Sequence, residues 1–241
     1  MDIFKTWLVE TPIAHRGLHS KNVPENSLAA FSKAIEKGYA IELDVQQLSD
    51  DTIVVFHDET LARMTGNDGY IKYLHKEDLK ALSLKGSKEH IPTFEQVLKL
   101  VDGKVPLLIE VKNAYKVGKL EQALIDALKN YNGEFAVQSF NPYSLSYFKK
   151  HAPNILRGQL AGSFNGEKLG WFKKILLRKM KLNKVSVPHF INYEASTLPN
   201  RYVKKFKDLP LLAWVVKSKE EYLKVVKYCD NVVFENFDPE I

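Results

Sequence analysis

The sequence holds a single cysteine, Cys229, in 241 residues. That excludes an intrachain disulfide and leaves the expectation of a buried, inert thiol. No apolar run approaches ~18 residues, so the sequence offers no candidate membrane-spanning helix. The first residues, MDIFKTWLVETPIAHRG, lack the apolar stretch of a secretory signal, and the default expectation is a cytoplasmic protein. Pro/Gly/Ser-rich linkers, low-complexity tracts and sequence repeats are absent too, which predicts one domain spanning 1–241. The phosphate turns GxGxxG and GxxxxGK[ST] are missing, which counts against a nucleotide-binding open sheet. Zinc-finger spacing, helix-turn-helix patterning and RNA-binding aromatic motifs are also missing. The expectation is therefore no nucleic-acid partner, despite the basic balance.

What is present is an ordinary globular composition, 45% apolar and 27% charged, with a net charge of +6. The positive balance suits anionic partners such as phosphorylated small molecules or a lipid surface. Short apolar or β-branched runs alternate with amphipathic stretches along the whole chain. Strands are predicted at 12–16, 40–45, 106–112, 135–140, 155–161, 184–190, 211–216 and 231–236. Helices are predicted at 25–37, 93–101, 119–130, 142–151, 168–180, 197–207 and 219–228. Start signals support several of them, including Thr93, Pro142 and Ser218. Eight strands with intervening helices in a chain of this length predict a (β/α)8 TIM barrel, with a doubly wound open sheet as the alternative.

The segment 52–57 (TIVVFH) does not fit that rhythm. It follows the second strand through Asp50-Asp51 alone, and so short a connection makes an antiparallel hairpin and no parallel crossover. A turn centred there predicts Asp44 opposite His57, with Glu42 on the same face. Residues 59–92 then form a small insertion.

Ionisable groups gather at the predicted strand ends. His15-Arg16 closes the first strand, Glu42 and Asp44 lie on the second, and Glu110 and Lys112 lie on 106–112. Chemistry in a barrel of this class sits at those ends. Glu42, Asp44 and Glu110 make a hard oxygen site suited to one divalent cation, Mg²⁺ or Ca²⁺. Arg16 and Lys112 supply fixed positive charge for a phosphate. His15 and His57 exchange protons near neutral pH. The set is suited to metal-assisted phosphodiester cleavage.

At these residues the chain resembles the glycerophosphodiester phosphodiesterase family. The matching segments are AHRG (14–17), PENSLAAF (24–31), IELDVQ (41–46), VVFHDETLARMTG (54–66), IPTFEQVL (91–98), LLIEVK (107–112), VQSFNP (137–142) and LAWVV (212–216). They run in family order along nearly the whole chain. The resemblance implies a TIM barrel with an inserted segment after the hairpin, and hydrolysis of a small glycerophosphodiester to glycerol 3-phosphate and an alcohol. It implies Glu42, Asp44 and Glu110 as metal ligands, His15 and His57 as the acid/base pair, and Arg16 and Lys112 as phosphate ligands. It implies Asn26 as a loop-fixing residue, and Asp58 as a hairpin cap or an orienting group. It also implies a route in which the substrate's own glycerol hydroxyl attacks phosphorus and water then opens the cyclic phosphate.

Two segments depart from the family pattern. Trp214-Val215-Val216-Lys217 carries lysine where the family has asparagine, and Phe234-Glu235-Asn236-Phe237-Asp238-Pro239 replaces a Thr-Asp-x-Pro pattern. Trp214 is expected to stack on substrate carbons. The basic amphipathic segment 169–184 is expected either to be a barrel helix with a solvated face or to make a weak peripheral membrane contact. That segment slightly favours the alternative of a lysophospholipase D-like activity on lysophospholipids. A non-catalytic phosphate- or lipid-binding barrel is the alternative from another class, and the presence of every proposed catalytic position speaks against it. Among the remaining histidines, His189 is the one expected to line the barrel mouth.

Overall fold

The computed structural model describes residues 2–113, 116–165 and 170–239. Lys168 and Leu169, the start of the predicted basic helix, lie outside them. The strands are β1 (Ile13–Ala14), β2 (Ala40–Gln47), β3 (Ile53–Val55), β4 (Leu107–Val111), β5 (Phe135–Ser139), β6 (Leu156–Ala161), β7 (Phe190–Glu194), β8 (Leu211–Val216) and β9 (Asn231–Phe234). The α-helices are α1 (Trp7–Glu10), α2 (Leu28–Glu36), α3 (Ala62–Thr65), α4 (Phe94–Val101), α5 (Lys119–Leu128), α6 (Pro142–His151), α7 (Trp171–Arg178), α8 (Asn183–Ser186) and α9 (Lys219–Val225). The architecture is the expected (β/α)8 barrel, with one antiparallel hairpin strand and an insertion after the second strand. Two compact units are separable within it, 14–135 and 1–13 with 136–241.

In the unit 14–135, β2 and β4 pair in parallel, with Asp44 beside Glu110. Both strands are buried along nearly their whole length, as barrel staves covered on both faces must be. Their apolar residues need no further account, but the carboxylates among them do. Helix α2 starts where the Ser27 hydroxyl accepts from the Ala30 N–H. Helix α4 starts at a reciprocal Thr93–Gln96 capping box. The segment 59–92 has a core of its own, in which Leu61, Ile71, Leu79 and Leu84 pack on Val54 and Phe56.

The hairpin forms one residue out of the expected register. Val45 faces Val55, and the Phe56 N–H donates to the Asp44 carbonyl at 2.9 Å. The Leu48 N–H bonds to Thr52 O, which leaves a three-residue loop, and its last member Asp51 is left-handed at φ 72°. Asp44 therefore lies opposite Phe56, and His57 stands beyond the paired strand.

In the other unit, β5 through β9 pair in parallel in sequence order. Two predicted elements are displaced there. The alternating run 184–190 predicts a strand, but α8 occupies its start and β7 begins only at Phe190. The following FINYE alternates as well as KVSVPHF does, so periodicity alone cannot choose between them. The predicted helix 197–207 is replaced by two 3₁₀ turns, Ala195–Thr197 and Val203–Phe206. Pro199 cannot donate a backbone hydrogen bond, and Asn200 Oδ1 instead takes the Tyr202 and Val203 N–H groups. His189 consequently precedes β7 and sits at its N-terminal end, away from the strand's catalytic end. There it accepts from the Arg157 N–H at 3.2 Å, and burial pushes its pKa down.

Candidate active site

β1 ends early because Arg16 takes a left-handed conformation, φ 55°. That turn aims its N–H at Glu42 Oε2, 3.1 Å away, and its Nε at Asp44 Oδ2, 3.3 Å away. His15 Nε2 stands 4.0 Å from the same Glu42 oxygen. Glu42 and Asp44 share one face of β2, and Glu110 is level with Asp44 on the neighbouring strand. All three carboxylates are buried, and they offer ligand atoms within 4.8 Å of one another. Lys112 closes the cluster, with Nζ 3.0 Å from Glu110 Oε1 and 3.7 Å from Asp44 Oδ1.

The electrostatics are unbalanced. Three buried carboxylates face two cations, Arg16 and Lys112. Burial, together with the negative charge of Asp44 and Glu110, pushes Glu42 well above the ordinary carboxylate range. Burial also opposes ionisation of Asp44, but Lys112, His57 and Arg16 outweigh it and hold its pKa low. Asp44 Oδ1 is buried and accepts no hydrogen bond. A lone pair in that state, among three hard oxygen donors carrying excess negative charge, fits a divalent cation of the Mg²⁺ or Ca²⁺ kind. Asn26 supports the same ligand, donating from Nδ2 to Asp44 Oδ2 at 2.9 Å. The loop residue of the sequence reading thus fixes a carboxylate of the cluster.

His57 follows Phe56, the last residue opposite β2, and it is among the groups that lower the Asp44 pKa. The segment that carries it is held by Gln46, whose buried Nε2 donates to Phe56 O at 2.8 Å and Asp58 O at 2.9 Å. The sequence reading passed over Gln46, although its i+2 spacing from Asp44 continues the polar face. His57 Nδ1 lies 2.7 Å from Asp58 Oδ1. Asp58 is therefore an orienting group for the imidazole. Its carboxyl stays ionised because His57 and Arg63 outweigh burial. Glu25 and Arg63 were also passed over. Each lies in a segment quoted for the family resemblance, PENS and HDETLARMTG, Glu25 next to Asn26 and Arg63 five residues after Asp58.

Trp214 lies in the other unit, on β8. Its indole N–H donates to Ala161 O at 3.1 Å and Asn192 O at 3.2 Å, and its ring packs edge-on against Phe140. The donor is used within its own unit. The two departures from the family pattern meet in the same unit: Lys217 Nζ and Glu235 Oε1 are 2.9 Å apart. Lysine therefore arrives with a carboxylate beside it. Cys229 is half-buried, and burial pushes its thiol up to about 12.

Comparison with known proteins gives the family. Residues 15–235 match the model of the glycerophosphoryl diester phosphodiesterase family. A glycerophosphodiester phosphodiesterase of Caldanaerobacter subterraneus is 36% identical over 95% of this chain and 94% of its own. A phosphodiesterase of Oleispira antarctica, solved with the product sn-glycerol-3-phosphate, superposes with a TM-score of 0.78 at 25% identity, over 95% of this chain and 93% of that one. A glycerophosphodiester phosphodiesterase of Thermotoga maritima gives 0.71 at 25% identity, over 93% of this chain and 94% of that one. By sequence, fold and the buried acid cluster together, the chain belongs to the glycerophosphoryl diester phosphodiesterase family.

Proposed function

We propose that the chain hydrolyses small glycerophosphodiesters to glycerol 3-phosphate and an alcohol. The observation that carries this reading is the buried Glu42, Asp44 and Glu110 cluster, with its excess negative charge and its orphaned Asp44 oxygen. These three residues would hold one Mg²⁺ or Ca²⁺ ion, which when bound polarises a phosphoryl oxygen and offsets the charge that develops on it.

The remaining steps belong to side chains. Arg16 and Lys112 bind the phosphate oxygens as fixed charges. Asp58 holds the His57 proton on Nδ1, which leaves Nε2 free to accept one. One of His57 and His15 takes the proton of the glycerol hydroxyl as that oxygen bonds to phosphorus. The other protonates the alcohol oxygen as its bond to phosphorus breaks. The two exchange roles when water opens the cyclic phosphate.

The test is release of glycerol 3-phosphate from glycerophosphocholine, after chelation and with Mg²⁺ or Ca²⁺ restored. Release that returns with metal supports the reading, and no release with either metal contradicts it.

One surface favours a second reading, a lysophospholipase D-like activity. Trp171 and Phe172 at the start of α7 are 75% and 61% exposed. Leu176, Leu177 and Met180 of the same segment turn inward, toward Pro142 and Gln159. The barrel-helix role therefore accounts for those three and leaves the aromatic pair unexplained. Six lysines and arginines fall between Lys173 and Lys184 with no carboxylate among them, and they account for the whole net charge of +6. Because α7 follows β6, its first residues lie toward the strand ends where barrel chemistry occurs. This reading places a cytosolic enzyme in weak contact with an anionic lipid surface through 169–184. No helix among the described residues is long and apolar enough to cross a membrane. Flotation with phosphatidylglycerol vesicles at low salt tests the contact: wild type should rise with the vesicles and Trp171→Ala/Phe172→Ala should not. Wild type left in the pellet removes this reading.

A further inference from the structure

Arg63 comes from α3 in the inserted segment, at the start of 59–92. Its guanidinium lies between two carboxylates and grips both. Nε and Nη2 donate to Asp58 at 2.6 and 3.0 Å, while Nη1 and Nη2 donate to Glu25 at 2.9 and 2.7 Å. Each carboxylate has a second partner at the site. Glu25 Oε1 accepts from Arg16 Nη1 at 2.6 Å, and Asp58 Oδ1 meets His57 Nδ1 at 2.7 Å. The result is a chain of alternating charge, Arg16–Glu25–Arg63–Asp58–His57. One end is the proposed phosphate ligand and the other a proposed proton carrier.

We propose that Arg63 is a positioning residue that ties the phosphate-binding Arg16 to the proton-transferring His57 through Glu25 and Asp58. The proposal rests on the reading of Arg16 and His57 given above. The geometry suits this role better than that of a fastening for the insertion. The insertion already has an apolar core that does not include Arg63. Ion pairs this close to solvent add little stability. A bidentate fork on both sides, in contrast, fixes direction as well as distance. Without Arg63, Glu25 and Asp58 each keep one partner but lose the member that sets their relative position. Lysine is a point donor and can engage one carboxylate well, not two in parallel. The insertion thus reaches the chemistry without touching the substrate.

The test is a cycle of Arg63→Gln, Arg63→Lys and His57→Ala, assayed for glycerol 3-phosphate release with thermal melts alongside. Arg63→Gln should lower kcat on the order of 10²-fold, the scale set by misplacing a reacting group by about 1 Å. Its melting temperature should stay near wild type, and Arg63→Lys should recover part of the rate. In the His57→Ala background, Arg63→Gln should cost much less, because one of the two groups it positions is gone. The same loss in both backgrounds, or a loss that follows a lowered melting temperature, would make Arg63 a structural fastening and overturn the proposal. So would an Arg63→Gln enzyme with wild-type rates. An inactive wild type would instead strike at the phosphodiesterase reading itself, so the two failures are distinct.

Discussion

The two units of the chain bury polar side chains on their strands in different ways. In 14–135 they are, apart from Gln46, ions: Glu42, Asp44 and Glu110 lie with Lys112 and Arg16 around them. In the other unit, apart from Arg157, they are mainly amides and hydroxyls, hydrogen-bonded among themselves and to backbone except at Asn192 Oδ1. Asn192 donates to Gln138 at 2.9 Å, and Gln159 donates to Ser139 O and accepts from Ser186. Neutral amides fill a barrel interior at modest cost once they are paired. A cluster of carboxylates with too few cations does not settle in that way. It persists where something else supplies positive charge, and that contrast is the reason the proposed cation is assigned to 14–135.

The largest effect should come from removing a ligand of the proposed cation. Asp44→Asn or Glu110→Gln should lower kcat/KM on the order of 10³-fold, since a bound cation supplies several kcal/mol to a phosphoryl transition state. Glu42→Gln, whose charge burial and the neighbouring carboxylates oppose, should by contrast melt no lower than wild type in chelator, whereas Asp44→Asn should melt lower because it leaves Lys112 and Arg16 without that counter-charge. His57→Gln should cost about 10²- to 10⁴-fold in kcat, the usual scale of a positioned proton carrier. Asn192→Leu should sharpen the comparison from the other side. It leaves Gln138 Oε1 short of a donor and should destabilise by about 1–3 kcal/mol, with kcat nearly unchanged. Thermal melts beside kinetics separate these cases.

Much of this was legible in the sequence because it depends on short-range periodicity. Glu42 and Asp44 share a face by their spacing, and so do Glu110 and Lys112. The strand rhythm gave the barrel, and Thr93, Pro142 and Ser218 stand where α4, α6 and α9 begin. The hairpin register was misread because a two-residue and a three-residue loop fit the same Ser-Asp-Asp-Thr stretch. Only the left-handed Asp51 distinguishes them. Gln46, Glu25 and Arg63 went unread for another reason. Their partners are contacts between segments, and Arg63 meets Glu25 across 38 positions of chain. No spacing rule links such residues; only the folded strands bring them together.

The smallest expected effect concerns acid stability. Burial opposes ionisation of Glu25, but the bonds from Arg63 and Arg16 lower its pKa from 4.5 to about 2. A carboxyl held down in the folded state stabilises it above the ordinary value, and that contribution is lost as pH falls through the folded one. The gap in melting temperature between wild type and Glu25→Gln should therefore be full near pH 5 and close as pH approaches 2. A gap independent of pH would mean that Glu25 contributes by packing and not by charge.

The claim at the centre of this account is that Glu42, Asp44 and Glu110 together hold a divalent cation. Calorimetric titration of chelator-treated protein with Mg²⁺, and separately with Ca²⁺, addresses it without reference to any substrate. One saturable site in wild type that is absent from Asp44→Asn is the predicted result. No site for either ion in wild type, or a site that survives in Asp44→Asn unchanged, would contradict it.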